Sequence, residues 1–345
     1  MKILILGASY GSLLSTKLLM AGHDVSLVCR EQTAALINNE GTVVRLQLKR
    51  GDEYQEYHSD DLPGKVDAVT PDDAHPQDYD LIALAMQEPQ YGADGVRALM
   101  SKIAEAKKPC LSIMNMPPLP FIRRIQALSD VDFTQCYSDA SVWDGFEPGL
   151  VSLCSPDPQA FRPPDEKANV LQVGLASNFK ATSFEAEEHT ELLRQLAADI
   201  IAVRMNGKRV PVRLLVSDSI FAPMAKWSML LTGNYRCVLP EGVQAIRDAV
   251  HSDLELSQKI YGWVDDIAKN LGASDDDLVP FESYAKAAEN LLKPSSVARA
   301  VDAGTKQIER VDRLVQKIGQ GISMQMDPVD EVVACVDQRL AQNST

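Results

Sequence analysis

The sequence predicts an α/β protein in which a doubly wound sheet over residues 1–217 precedes an all-α domain over residues 218–345. Strand and helix patterns alternate through the first range, which is typical of a parallel sheet covered by helices on both faces. After Asp218 apolar residues recur at helical spacing alone. A chain of 345 residues is also long enough for two domains of about 100 to 200 residues each.

The first elements follow the order strand, helix, strand. Lys2–Leu6 is an apolar run that predicts a strand, and Leu13–Met20 repeats apolar residues at helical spacing. Gly22 ends this helix, and Asp24–Cys29 predicts the second strand. Together they predict the first βαβ unit of a sheet of the Rossmann type.

The rest of this domain continues the alternation. The predicted strands and helices are Tyr79–Met86, Val96–Ala106, Cys110–Met114, Val170–Leu175, Glu187–Ala202 and Arg209–Val216. The stretch 131–178 is richer in proline and polar residues, which predicts a long excursion ahead of the strand at Val170.

The second domain is predicted to contain only helices. They are Ala225–Leu231, Val243–Leu271, Glu282–Leu292, Thr305–Ile318 and Val329–Leu340. Proline and glycine residues separate these ranges, as expected where helices end.

Composition and charge exclude several classes of partner. The formal net charge of -14 argues against nucleic acid, whose binding requires a basic surface. No apolar run approaches the roughly 20 residues of a membrane span. The cysteines form no CxxC pair and no apolar leader opens the chain, which predicts a reduced, cytoplasmic protein. The histidines have no metal-ligand spacing, so no metal is expected.

The stretch MKILILGASYGS predicts a phosphate-binding turn. Dinucleotide-binding folds carry GxGxxG between the first strand and the first helix, where amides at the positive helix end face a diphosphate. Here the three positions are Gly7, Ser9 and Ser12, and Gly11 comes one place early. We therefore expect Gly7, Ser9, Tyr10, Gly11 and Ser12 to bind the cofactor. The alternative is a sheet whose pocket is vestigial or holds another ligand.

The end of the second strand normally selects between the two nicotinamide cofactors. An acid there pairs with a ribose diol, whereas an arginine accommodates a 2′-phosphate. This chain has Arg30 at that place, which favours NADP(H). Glu31 follows directly and leaves NAD(H) open.

Longer stretches resemble the ketopantoate reductase family, whose members join an N-terminal Rossmann domain to a helical C-terminal domain. The opening MKILILGASYGSLLSTKLLMAGHDVSLVCR is similar to the start of that family, YDLIALAMQEPQ to its fourth-strand motif and IMNMPPL to its asparagine-containing loop. Further on, AKWSMLLTGNYRCVL resembles the first helix of its second domain. PSSVARAVDAGTKQIERVDRLVQKIG resembles its late serine and glutamate segment.

The resemblance implies roles for particular side chains. Asn115 falls on the loop asparagine that contacts cofactor and substrate. Gln87 falls on a lysine that follows the fourth strand, and we expect it to bind the cofactor. Ser296 and Glu309 lie close to the substrate-binding serine and glutamate. Asn234 is one place away from an expected asparagine and is a further candidate for substrate binding.

One departure concerns the proton donor. The lysine that protonates the carbonyl oxygen in that family is replaced by Met229, and a thioether cannot donate a proton. Lys226 lies three residues earlier on the same helix face, from which its ammonium could reach the same place. Lys226, Asn115 and Glu309 are therefore the candidate catalytic residues. For Lys226 the alternative is a surface lysine at the start of a helix. For Glu309 the alternative is a solvated ion pair, because basic residues surround it on a predicted helix.

These observations predict an NADP(H)-dependent oxidoreductase. It would reduce the carbonyl group of a small, 2-oxo acid-like substrate in the cleft between the two domains, with the helical domain supplying the proton donor. An opine-type dehydrogenase that reduces imines stays open, as does a non-catalytic NADP(H)-binding sensor. A homodimer is plausible by resemblance alone.

Overall fold

A computed structural model describes residues 1–8, 10–47 and 53–344. Internal contacts divide the described residues into two units. The sheet unit comprises residues 1–86, 90–124 and 141–220, and the helical unit comprises residues 87–89, 125–140 and 221–345. The predicted domain boundary after residue 217 stays a prediction.

Among its described residues, the sheet unit contains strands in three sheets and five α-helices. Its strands are β1 (Lys2–Leu6), β2 (Asp24–Val28), β3 (Val43–Gln47), β4 (Tyr54–His58), β5 (Val66–Val69), β6 (Leu81–Leu84), β7 (Cys110–Ile113), β8 (Val151–Ser155), β9 (Gln159–Phe161), β10 (Val170–Leu175), β11 (Phe179–Thr182), β12 (Arg204–Met205), β13 (Lys208–Arg209) and β14 (Leu214–Ser217). Its helices are α1 (Tyr10–Met20), α2 (Glu31–Glu40), α3 (Val96–Ala106), α4 (Leu119–Ile122) and α5 (Glu187–Ala202).

The main sheet has eight strands in the order β14-β11-β8-β7-β6-β1-β2-β5. Only β8 and β11 run antiparallel, and the other neighbouring strands run parallel. Its central strands are buried on both faces, with residues 3–6 and 81–84 at most 1% exposed, as expected for parallel strands between helix layers. The structure confirms the predicted fold class. A second sheet has the order β4-β3-β10-β9, and β12 and β13 form a separate ribbon.

The stretch 131–178 was predicted as an excursion that ends in the strand Val170–Leu175, and the structure has this strand as β10 but adds two strands before it. It contains β8, which joins the main sheet, and β9 and β10, which belong to the second sheet. Serines in β8 made this segment resemble a loop in the sequence. In the structure they are buried in the sheet, where their hydroxyl groups can form hydrogen bonds. Ser152 Oγ donates a 2.6 Å hydrogen bond to the carbonyl oxygen of Thr182.

The strand predicted at Arg209–Val216 begins later, at Leu214. Pro211 has no amide hydrogen to donate to a neighbouring strand. Val212 has a φ of +66°, which is incompatible with an extended strand. These two residues delay the strand although the sequence around them is apolar.

The helical unit contains no β-strand among its described residues. Its helices are α6 (Ala225–Met229), α7 (Ile246–His251), α8 (Leu254–Leu271), α9 (Phe281–Ala288), α10 (Ser296–Asp302), α11 (Val311–Gly321) and α12 (Asp327–Ser344). A π-helical turn, Leu230–Asn234, continues α6. No helix in the described part of the chain is long and apolar enough to cross a bilayer.

Two helix predictions in this unit were wrong, one because the helix is interrupted and one because it begins later. The helix predicted over Val243–Leu271 is broken, because the Asp253 side chain accepts a 2.9 Å hydrogen bond from the Leu256 amide and caps a new helix. The helix predicted from Thr305 begins only at Val311. Gly304, with a φ of +87°, closes the preceding helix instead.

Candidate active site

The turn after β1 leaves no room for a side chain at Gly7. Its φ of +98° lies in the left-handed region that favours glycine. A Cβ atom there would lie 2.6 Å from Met86 Cγ and 2.7 Å from the carbonyl oxygen of Ala85. The turn also lies where the strand order reverses, between β1 and β6. Doubly wound sheets bind ligands at this edge.

The first turn of α1 packs closely against the sheet. α1 begins at Tyr10, and the first amides of a helix have no carbonyl partner within it. A Cβ atom on Gly11 would lie 2.8 Å from Ile5 Cγ2, so glycine permits the close approach of helix and strand. Ser12 is buried and donates a 2.7 Å hydrogen bond to the carbonyl oxygen of Ala8. Ser9 lies outside the described residues.

This corner fits the diphosphate of a dinucleotide. The glycine turn lets the chain pass the strand ends without a side chain in the way, and α1 presents its positive end there. Gly7 performs the turn and Gly11 the close helix packing that the fingerprint requires. The spacing departs from GxGxxG, but glycines still provide both the tight turn and the close packing of helix against strand.

Arg30 lies at the same edge of the sheet. It is exposed between β2 and α2, and Glu31, also exposed, begins α2. Leu6 pairs with Val28 in the register of β1 and β2, so the residues that follow both strands lie side by side. Arg30 is therefore placed next to the glycine turn, as the sequence predicts.

A second arginine, Arg162, contacts this turn. It follows β9, and its Nη2 donates a 3.0 Å hydrogen bond to the carbonyl oxygen of Ala8. The spacing of apolar residues did not single out Arg162, because the residues around it have the composition of a surface loop. The arrangement FRPP, with an arginine held between a short strand and two prolines, is the one local feature that could have drawn attention to it.

Asn115 lies two residues past the end of β7 and is half-buried. Because β7 pairs with β6, this asparagine follows a strand end at the carboxyl edge of the main sheet. Gln87 directly follows Met86 and is exposed. Their functional roles stay predictions.

In the helical unit, α6 carries Lys226 and Met229, which are both half-buried. Trp227 is 1% exposed and belongs to the core, as its place on an amphipathic helix predicts. The helix then widens into the π-helical turn, a feature that often occurs at functional sites. Gly233 within this turn leaves space for Tyr284, whose hydroxyl donates a 3.1 Å hydrogen bond to the carbonyl oxygen of Met229.

The end of the π-helical turn gathers several predicted substrate residues. The carbonyl oxygen of Asn234 accepts a 2.8 Å hydrogen bond from Ser295 Oγ. Ser295 is buried and caps α10, whereas Ser296, the predicted residue, is exposed at the first position of that helix. The next residue, Tyr235, donates a 2.6 Å hydrogen bond to the carbonyl oxygen of Glu309.

Glu309 is not a solvated helical residue. It is 6% exposed and precedes α11 in a non-helical segment. The ion pairs expected around it are formed by its neighbour instead, because Arg310 Nη2 lies 2.8 Å from Asp312 Oδ2. The amide of Glu88 donates a 3.3 Å hydrogen bond to Glu309 Oε1. The burial of Glu309 therefore contradicts a solvated position for its side chain.

Glu88 is a buried carboxyl that sequence analysis did not select. It is 2% exposed, and its Oε1 accepts a 3.0 Å hydrogen bond from the Ser138 amide. Oε2 has no hydrogen-bond partner among the described residues. Burial raises the pKa of Glu88 to about 7, and the charge of Glu309 adds to the rise. The available indication was an acidic residue four positions after the last residue of a wholly apolar strand.

Comparisons with known proteins rest on structure alone, because no protein-family model and no curated protein matches the sequence. The structure of 2-dehydropantoate 2-reductase from Methylococcus capsulatus is similar with a TM-score of 0.70 and 15% identity, over 100% of this chain and 98% of that one. The chain has the ketopantoate reductase fold. A dimeric ketopantoate reductase from Staphylococcus aureus is similar with a TM-score of 0.65 and 10% identity, over 99% and 100% of the two chains.

The ketopantoate reductase fold is shared by an enzyme of different specificity. A ternary structure of D-mandelate dehydrogenase with NADH and anilino(oxo)acetate is similar with a TM-score of 0.65 and 13% identity, over 100% of both chains. No group of three or more His, Cys, Asp or Glu side chains in the described ranges is arranged to hold a metal ion.

Proposed function

We propose that the protein is an NADP(H)-dependent oxidoreductase that reduces the carbonyl group of a small, 2-oxo acid-like substrate. The observation that carries this proposal is the turn at Gly7, where a Cβ atom would collide with Met86 and the Ala85 carbonyl group. Such a turn, at the head of a helix and at the reversal point of the strand order, is suited to a diphosphate. The amides of residues 10–12 would hold that group.

NADP(H) is favoured over NAD(H) by the charge at the end of β2. Arg30 is exposed at the place where the adenosine ribose lies in such folds. A guanidinium group attracts the 2′-phosphate that distinguishes the two cofactors.

Bound NADPH supplies a hydride to the carbonyl carbon of the substrate. Proton donation, orientation and substrate binding are provided by side chains of this protein. The Lys226 ammonium gives the proton that the carbonyl oxygen needs, since Met229 cannot. The amide of Asn115 orients cofactor and substrate, while Asn234, Ser296 and Glu309 hold the remaining polar groups of the substrate. The 2-oxo acid class is supported by the oxo compound bound by D-mandelate dehydrogenase, which has the same fold.

The test uses the full-length protein, NADPH and NADH, and a panel of 2-oxo acids with and without added amines. We expect NADPH to bind more tightly than NADH, and Arg30→Ala to weaken only NADPH. Oxidation of NADPH by a 2-oxo acid alone supports a carbonyl reductase. Turnover that strictly requires an amine would replace this proposal by imine reduction. Tight binding without turnover would replace it by a sensor function.

We also propose a homodimer, because a dimeric ketopantoate reductase has the same fold. Light scattering on the purified protein tests this directly. A mass near twice the 37.8 kDa of the chain supports the dimer, and a mass near that of one chain contradicts it.

A further inference from the structure

Arg162 is attached to the glycine turn by a specific contact. Its Nη2 donates a 3.0 Å hydrogen bond to the carbonyl oxygen of Ala8, which directly follows Gly7. A guanidinium group has five N–H donors in a rigid, planar fork. The bond to Ala8 uses one of them, so the remaining donors can bind a second group. An oxyanion with several acceptor atoms matches this fork.

The contact with Ala8 brings Arg162 to the end of β2. Leu6 is paired with Val28, and the amide of Gly7 donates a 3.2 Å hydrogen bond to the carbonyl oxygen of Val28. Ala8 and Arg30 each lie two residues beyond this pair, in the segments that follow the neighbouring strands β1 and β2. A guanidinium group bound to the Ala8 carbonyl is therefore close to Arg30.

The charges at this corner are consistent with that closeness. Burial lowers the pKa of Arg162, and the positive charge of Arg30 lowers it further. Burial raises the pKa of the neighbouring Cys29 thiol to about 11, and the charge of Arg162 opposes that rise. Among the described residues, neither Arg30 nor Arg162 forms an ion pair with a carboxylate.

The backbone around Arg162 limits its freedom. It follows Phe161, the last residue of β9, and precedes Pro163 and Pro164. A residue before proline is restricted to extended conformations, and each proline fixes its own φ. The guanidinium group is thus held near Ala8 by the short strand, the prolines and the hydrogen bond. Two adjacent cations repel each other when no carboxylate from the described ranges pairs with either, and a bound anion would reduce that repulsion.

We propose that Arg162 and Arg30 together bind the 2′-phosphate of NADP(H), so that Arg162 is a second determinant of cofactor specificity. This rests on the proposed function, because it assumes that a nicotinamide dinucleotide occupies the corner. The 2′-phosphate is the group expected at the end of β2, whereas the diphosphate is expected at the amides of α1.

The experiment measures the affinities of full-length variants for NADPH and NADH, and for ADP-ribose with and without a 2′-phosphate. Arg162→Gln removes the charge, Arg162→Lys keeps it, and Arg209→Gln neutralises an exposed arginine elsewhere in the sheet unit as the matched control. Loss of a charge-assisted hydrogen bond should weaken NADPH roughly tenfold to a hundredfold in Arg162→Gln. NADH affinity should change by less than about twofold, and Arg162→Lys should recover part of the NADPH affinity.

Each outcome decides between the two proposals. If the wild-type protein binds neither nicotinamide dinucleotide, the proposed function fails and this inference fails with it. If the wild-type protein binds NADPH but Arg162→Gln weakens it no more than Arg209→Gln, only this inference fails. An equal loss for NADPH and NADH also overturns it, because Arg162 would then serve the diphosphate or the shape of the turn.

Discussion

The amide of Glu88 donates a 3.3 Å hydrogen bond to Glu309 Oε1, so two carboxyl groups share one buried cluster in the helical unit. The two groups cannot both ionise there at low cost. Burial raises the pKa of Glu88 to about 7, and repulsion by Glu309 contributes to the rise. Glu88 is therefore the carboxyl whose protonation changes near neutral pH.

This cluster should make stability depend on pH. The folded-state pKa of Glu88 lies above its ordinary value of 4.5, so the folded state holds the proton more tightly. The stabilisation is complete below pH of about 4.5 and is lost as pH rises through about 7, with a limit of about 3 kcal/mol. Urea unfolding of Glu88→Gln between pH 5 and 8 should show a flatter profile than the wild-type protein. Glu289→Gln, at an exposed position in the same unit, should keep the wild-type profile.

The Tyr235 hydroxyl should contribute strongly to stability. It donates a 2.6 Å hydrogen bond to the carbonyl oxygen of Glu309 and accepts a 3.0 Å bond from the Val311 amide. Tyr235→Phe leaves both backbone groups without this partner in a buried place, which should cost about 2 to 4 kcal/mol of unfolding free energy. Tyr54→Phe removes a hydroxyl from an exposed tyrosine and should cost less than about 0.5 kcal/mol. Equal effects of the two changes would mean that the Tyr235 hydroxyl contributes little to stability.

Alanine substitutions at two glycines with similar φ values distinguish the cost of backbone strain from the cost of a steric clash. Gly7 and Gly22 have φ values of +98° and +81°, but only Gly7 has atoms within 4 Å of an added Cβ. Gly22→Ala should lower stability by about 1 kcal/mol and leave NADPH affinity unchanged. Gly7→Ala should lower stability further and weaken NADPH at least about tenfold, because the turn must move. Calorimetric titration measures both affinities, and equal affinities would argue against a cofactor at this turn.

Lys226 should be needed for turnover and not for cofactor binding. Lys226→Ala removes the proposed proton donor, so kcat should fall by about 100-fold or more while NADPH affinity stays within about twofold. Lys286→Ala, at an exposed position on α9, provides the control in the same unit. If Lys226→Ala retains wild-type turnover of a 2-oxo acid that the protein reduces, another group supplies the proton.

Much of the fold could be predicted from apolar patterns. Val96–Ala106, Val170–Leu175 and Glu187–Ala202 have the predicted bounds, because each bears a clear helical or strand repeat ended by a turn residue. The spacing of apolar residues does not reveal hydrogen bonds made by buried polar side chains. The buried serines of β8 resemble loop residues, and the Asp253 cap divides a helix whose apolar repeat is continuous.

The candidate site was predictable only where local sequence determines geometry. Gly7 and Arg30 follow directly from their places at the ends of the first two strands. Arg162 depends on β9, far along the chain, to reach Ala8. Glu88 depends on Ser138 and Glu309, which approach it only after folding. No spacing rule within one segment could reveal these contacts.

The most direct test of the central claim is a crystal structure of the full-length protein grown with NADPH. We expect the diphosphate to lie within hydrogen-bond distance of the amides at the start of α1, beside Gly7, with the 2′-phosphate next to Arg30. A structure in which the Tyr10 ring closes this corner, or in which the coenzyme binds elsewhere, would contradict it.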